Sequence, residues 1–281
     1  MLRGDRAVVW LVLSGAAACA GSPAAGRDQP RAAVCPRLPE PEVVVVDGAA
    51  AGERHERFDL ADGPALWQGA PEDAAAVAYR RQIARRLGDD LEPRSLLTRQ
   101  REVFAAGSQA REATNIDAVL AGKVGTFVAP GCIERLLFAR QAARFPMVEH
   151  ATEFGAFVLR RGDRVRLYVS SMDRVGQKIR PEVTDRVRAD VASGYRLVAH
   201  LHNHPFLTGR RIGDRMWTTA ETLNDVAGAL APSLTDVQFF TDMVADGLPL
   251  EGAWLTNGLD SIRIAARELG ALVTHPASPG G

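Results

Sequence analysis

The sequence predicts an α/β protein, a mixed sheet flanked by helices in an α-β-α sandwich, with a helical amino-terminal extension. Three observations carry this. Across 281 residues, 46% hydrophobic and 24% charged side chains match the globular average, so a core can form. From residue 131 onward, apolar patterns of helical and strand period follow the order helix, hairpin, helix, strand, helix, hairpin, helix. The run 195–202 is apolar on both faces near its start, as expected of a strand in the middle of a covered sheet.

The chain opens with Arg3 and Arg6, an apolar run over 7–13 and small residues before Cys19, the layout of a secretory signal. Small residues directly before a cysteine resemble the bacterial lipobox, which implies lipidation at Cys19 and a membrane anchor made of lipid. Ala16 stands where that pattern has leucine, and a plain signal cut at an Ala-x-Ala site is the alternative. Residues 1–19 are thus the export region, and the expected location is the periplasm or outer membrane of a bacterial envelope. Residues 20–41, rich in Pro, Ala, Gly and Arg without periodicity, read as a flexible tether. Cys35 and Cys132 remain for an oxidising compartment, where they either form a disulfide or are buried as small hydrophobes.

Residues 42–130 read as a helical preamble without chemistry: a short strand at 42–46, helical spacing over 73–87 and 93–106, and a turn or short helix at 115–121. The domain from 131 to 281 then begins with a helix whose apolar face runs through Ile133, Leu136 and Leu137 and ends at Pro146. Two β-rich runs, 154–159 and 165–169, flank the polar turn Arg161-Gly162-Asp163. Pro181 opens a helix with Val183, Val187 and Val191 on one face, closed by Gly194. After the strand at 195–202, a helix starts at Ser233, and residues 252–264 form two strands around Asn257-Gly258.

The balance of 34 basic against 34 acidic residues argues against a protein held to nucleic acid by phosphate neutralisation. Chemistry concentrates instead at the end of the central strand, where His200, His202 and His204 stand in alternation before Pro205. Alternate strand residues share a face, so His202 and His204 can aim two imidazoles at one point. Zinc requires a third protein ligand, for which Asp236 at the start of the 233–243 helix is a candidate. Ser233 followed three residues later by an acid also has the form of a helix capping box.

Together, His202-Asn203-His204-Pro205 and Ser233-Leu234-Thr235-Asp236 resemble the JAMM metalloprotease family, also called MPN+ or JAB, with a stretch similar to RadC-type members. The resemblance covers roughly residues 131–272. It implies Zn2+ held by His202, His204 and Asp236, Glu153 as general base, and Ser233 as donor to the oxyanion. Glu149 is the runner-up for the base, and His200, outside the family pattern, is assigned a supporting or core role. Residues 206–231 are an insertion between the motif halves, longer than the family loop, and residues 218–229 have helical character. The activity implied is hydrolysis of an amide bond in a peptide or protein, with cell-wall peptides or small β-grasp proteins as substrate classes. The competing class is a non-catalytic interaction module that keeps the fold.

Overall fold

The computed structural model describes residues 35–106, 110–175, 179–206, 211–212, 215–216 and 228–275. The expected export region with Cys19, the expected tether up to residue 34 and the expected helix within the insertion lie outside the described residues, except for the turn at 228–229. The strands β1 (Glu42–Val43) and β2 (Arg54–Ala61) precede four helices, α1 (Pro64–Trp67), α2 (Ala74–Leu87), α3 (Pro93–Ala106) and α4 (Ala110–Leu120). Then come β3 (Thr126–Val128), α5 (Cys132–Arg144), the hairpin β4 (Phe154–Arg161) and β5 (Arg164–Ser171), α6 (Pro181–Ala192) and β6 (Arg196–Asn203). A small separate hairpin, β7 (Arg211–Ile212) with β8 (Arg215–Met216), lies in the insertion, and α7 (Leu234–Ala245), β9 (Gly252–Thr256), β10 (Ser261–Ala265) and a 3-10 turn at Ala266–Ala271 follow.

Eight strands form one mixed sheet in the order β1-β2-β5-β4-β6-β9-β10-β3. The pair β6 and β9 runs parallel and the other neighbours run antiparallel. Strand alternation sorts the core onto two faces. One carries Phe157, Tyr168, Leu197, Leu255 and Ile262 against Val187 of α6, Phe240 of α7 and Ile116 of α4. The other carries Phe58, Val158, Leu167, Leu201 and Trp254 against Ile133 and Leu137 of α5 and Leu66 of α1. β4 skips Val198 of central β6: Val158 pairs with Ala199 and Leu159 with Leu197. That single-residue irregularity reverses the alternation, so Leu197 shares a face with His200 and His202 despite the odd spacing.

The expected short strand at 42–46 is present at its first two residues. The stretch 42–130 also supplies two further strands of the main sheet, β2 and β3, which periodicity did not reveal. In β2, Phe58 and Leu60 face the core while Arg57 and Asp59 pair with each other, and Asp59 also pairs with Arg166 of β5. A strand with one ion-paired face reads as polar sequence. β3 has three residues, too few for a period. The described residues form one compact unit, so the preamble strands and the rest of the sheet belong to the same body.

The hairpin between β4 and β5 turns at Gly162, whose φ of 58° favours glycine. At the other hairpin Gly258 has φ 86°, and a Cβ there would sit 2.4 Å from the ring of Phe138. Cys35 and Cys132 are joined by a disulfide that fastens the start of the described chain to the first residue of α5.

Candidate metal centre

The ladder across the sheet centre places the two motif histidines. His202 is opposite Gly155 of β4 and Leu255 of β9, so its imidazole leaves the α6/α7 face where β4 offers no side chain. Beyond the last strand residue, the backbone N–H of His204 donates to Thr256 O at 2.8 Å, which continues the pairing with β9 and turns the second imidazole beside the first. Asn203, between them and fully buried, fastens the start of β4: its Oδ1 accepts from Phe154 N–H at 2.7 Å and its Nδ2 donates to Thr152 O at 3.0 Å.

The insertion does not separate the two motif halves, because its ends meet. Gly228 N–H donates to Pro205 O at 3.2 Å, and Asn257 Nδ2 holds Gly228 O at 2.8 Å. The chain therefore re-enters beside the histidines, and α7 starts there. Ser233 and Asp236 form a reciprocal capping box: Asp236 N–H donates to Ser233 Oγ at 3.1 Å and Ser233 N–H donates to Asp236 Oδ2 at 2.8 Å.

Three ligand-type atoms converge as a result. His202 Nε2 lies 3.1 Å from His204 Nε2 and 3.3 Å from Asp236 Oδ1, and His204 Nε2 lies 3.2 Å from Asp236 Oδ2. Among the described residues this is the group of three side chains able to hold a metal ion. A carbonyl oxygen only accepts, so the 2.9 Å contact from His204 Nδ1 to Ala229 O requires a proton on Nδ1 and makes Nε2 the nitrogen that a metal would take. The donor set of two imidazoles and one carboxylate fits the three-ligand pattern of a catalytic zinc site. Burial would raise the Asp236 pKa, but His202 and His204 outweigh it and hold the carboxyl well below its usual range. Burial likewise acts to lower His204, and Asp236 overrides it, raising the imidazole to about 9.

Glu153 precedes β4 by one residue. It lies two residues ahead of Gly155, which pairs with His202 at the end of the β4/β6 ladder. Its charge contributes to raising the His204 pKa, and its backbone is held by bonds to Arg174 O and from Met172 N–H. Glu149 is elsewhere: it is exposed and bonds to Arg86 of α2. His200 is 4% exposed and packs edge-on against Phe157 and Phe239, with neither ring nitrogen bonded among the described residues. Burial depresses its pKa well below the usual value, so it sits there as a neutral core side chain.

The site also contains a carboxylate that sequence reasoning missed. Glu112 of α4 accepts from Leu234 N–H, in the first turn of α7, at 3.0 Å. Burial, then Asp236, raises its pKa. Around it, Asn115 exchanges two hydrogen bonds with Val273, Arg111 donates to Thr274 O, and Thr235 meets His275. The preamble helix and the last described residues thus clamp the helix start that carries Ser233 and Asp236. No local pattern in 110–120 points to a partner more than a hundred residues away. No family model, curated protein or solved structure matches the chain.

Proposed function

We propose that this chain is an exported zinc-dependent peptidase or isopeptidase of the JAMM type. The observation that supports it most is the convergence of His202 Nε2, His204 Nε2 and the Asp236 carboxylate, with the His204 tautomer set by Ala229 O. Zinc held there supplies a water acidic enough to ionise near neutral pH and polarises an amide carbonyl. The Glu153 carboxylate would take a proton from the attacking water and return it to the departing nitrogen as the C–N bond breaks, giving a carboxylic acid and an amine that end as carboxylate and ammonium at neutral pH. Ser233 Oγ accepts from Asp236 N–H, which leaves its own hydrogen to donate to the developing oxyanion.

Export through residues 1–19, with lipid on Cys19, would put the substrate outside the cytoplasm; a cell-wall peptide fits that location, and a small β-grasp protein is the second class. No described helix is long and apolar enough to cross a membrane. The test is a peptide-library screen of the mature chain with zinc and with chelator. Zinc-dependent cleavage that releases a free amine is the expected result. A protein that binds zinc and cleaves nothing across peptide and isopeptide libraries would favour the interaction module.

A further inference from the structure

Asn257, in the turn between β9 and β10, is fully buried. Its Oδ1 accepts from Leu259 N–H at 2.9 Å and from Asp260 N–H at 2.8 Å, which closes the turn. Two backbone donors on that atom identify it as the oxygen, so Nδ2 is the end that reaches Gly228 O at 2.8 Å. The turn needs only the oxygen. The Nδ2 bond leaves the hairpin for a residue 29 positions away, where the chain re-enters beside the histidines. Gly228 is held from its other side too, since its N–H donates to Pro205 O at 3.2 Å. Its φ is 67°, and a Cβ there would lie 2.4 Å from the Phe206 ring, so glycine is the residue that fits. The peptide plane from Gly228 to Ala229 is rigid, so a bond at Gly228 O fixes the Cα from which the Ala229 carbonyl projects. That carbonyl takes His204 Nδ1 at 2.9 Å.

We propose that Asn257 is a positioning residue of the metal centre: through Gly228 O, its Nδ2 holds the Ala229 carbonyl against His204 Nδ1 and so aims Nε2 at the point shared with His202 and Asp236. The consequence for zinc rests on the metal reading; the aim of the imidazole does not. The hairpin turn thus has two separable uses of one side chain, the oxygen for the turn and the nitrogen for the histidine. Because Gly228 is fastened before the chain reaches Ala229, the partner of His204 is set by the hairpin and not by residues 206–227.

The experiment follows the His204 Nδ1–H by nitrogen–proton correlation NMR in the full mature chain carrying isotope-labelled histidine, first with a chelator and then with zinc. The spectrum of His204→Gln assigns the signal among the six histidines. Wild type should show a Nδ1–H protected from exchange in both states. Asn257→Asp keeps the oxygen that closes the turn and loses the donor to Gly228 O; the two backbone N–H groups on that oxygen favour the ionised carboxyl. Asn257→Ala loses both functions. The protection should disappear in both variants, and competition with a chelating dye should show zinc held about 10-fold more weakly, the lower end for loss of an outer hydrogen bond. Protection absent from wild type, protection retained in Asn257→Asp, or zinc affinity in that variant equal to wild type would each overturn the proposal; the second result would assign Asn257 to the turn alone. Protection present in wild type and lost in both variants, with no zinc taken up by any of them, would keep the positioning of His204 and contradict the metal centre instead.

Discussion

Asp236 divides its carboxylate: Oδ2 accepts the Ser233 N–H that begins α7 and lies beside His204, and Oδ1 faces His202. The helix cap and the proposed metal ligand are one group, so the two readings of Ser233-Leu234-Thr235-Asp236 do not compete. That dual use explains why this end of the site was legible: caps and alternating histidines are local patterns of three or four residues. Glu153 was named through the resemblance, since it stands just before a β-rich run, two residues ahead of the Gly155 that pairs with His202. Glu153→Gln should leave zinc content near wild type and lower turnover by roughly 100-fold or more, the scale of general-base catalysis. Glu149→Gln, at an exposed residue bonded to Arg86, should change neither; elemental analysis and turnover on the substrate from the library screen read both variants.

Between elements, the contacts that position the site span large sequence distances, and these were not legible. Glu112 joins α4 to α7 across 122 residues, and neither segment carries a mark of the other. Removing its acceptor should let the first turn of α7 shift and carry Asp236 with it. Glu112→Ala should therefore weaken zinc binding by about 10-fold or more, as loss of an outer support does, and Glu112→Gln, which keeps a carbonyl acceptor, should recover most of it; competition with a chelating dye measures both. The far edge of the same face is pinned by Glu53, which accepts from Arg180 Nη2 at 2.6 Å and meets His55 Nε2 at 2.9 Å. The Arg180 bond is the largest cause holding Glu53 at about 2, below the ordinary 4.5. A depressed carboxyl stabilises the fold above the unfolded value and loses that contribution as pH falls through the folded one. Urea midpoints should place Arg180→Gln below wild type near pH 6, with the gap closing between about pH 4.5 and pH 2; a constant gap would assign the effect to packing.

At the scale of the molecule, the α/β class and the order of elements from α5 to β10 followed from periodicity because long apolar runs decide them. The membership of β2 and β3 in the sheet did not, since ion pairs on β2 and the shortness of β3 mask the alternation. The Cys35–Cys132 bridge closes a sequence separation of 97 residues and ties the preamble to α5. Replacing both with serine should lower unfolding stability by about 2–5 kcal/mol, the usual cost of losing a native disulfide, with the same fall on reduction of wild type in denaturant titrations. What the whole fold accomplishes is to return residue 236 to the side of 202 and 204 across an insertion whose ends are bonded together. The direct test of that centre is elemental analysis of the purified mature chain beside the His202→Ala/His204→Ala double variant. About one zinc per chain in wild type and none in the variant is the predicted result; no zinc in wild type, or equal zinc in both, would contradict the proposed metal centre.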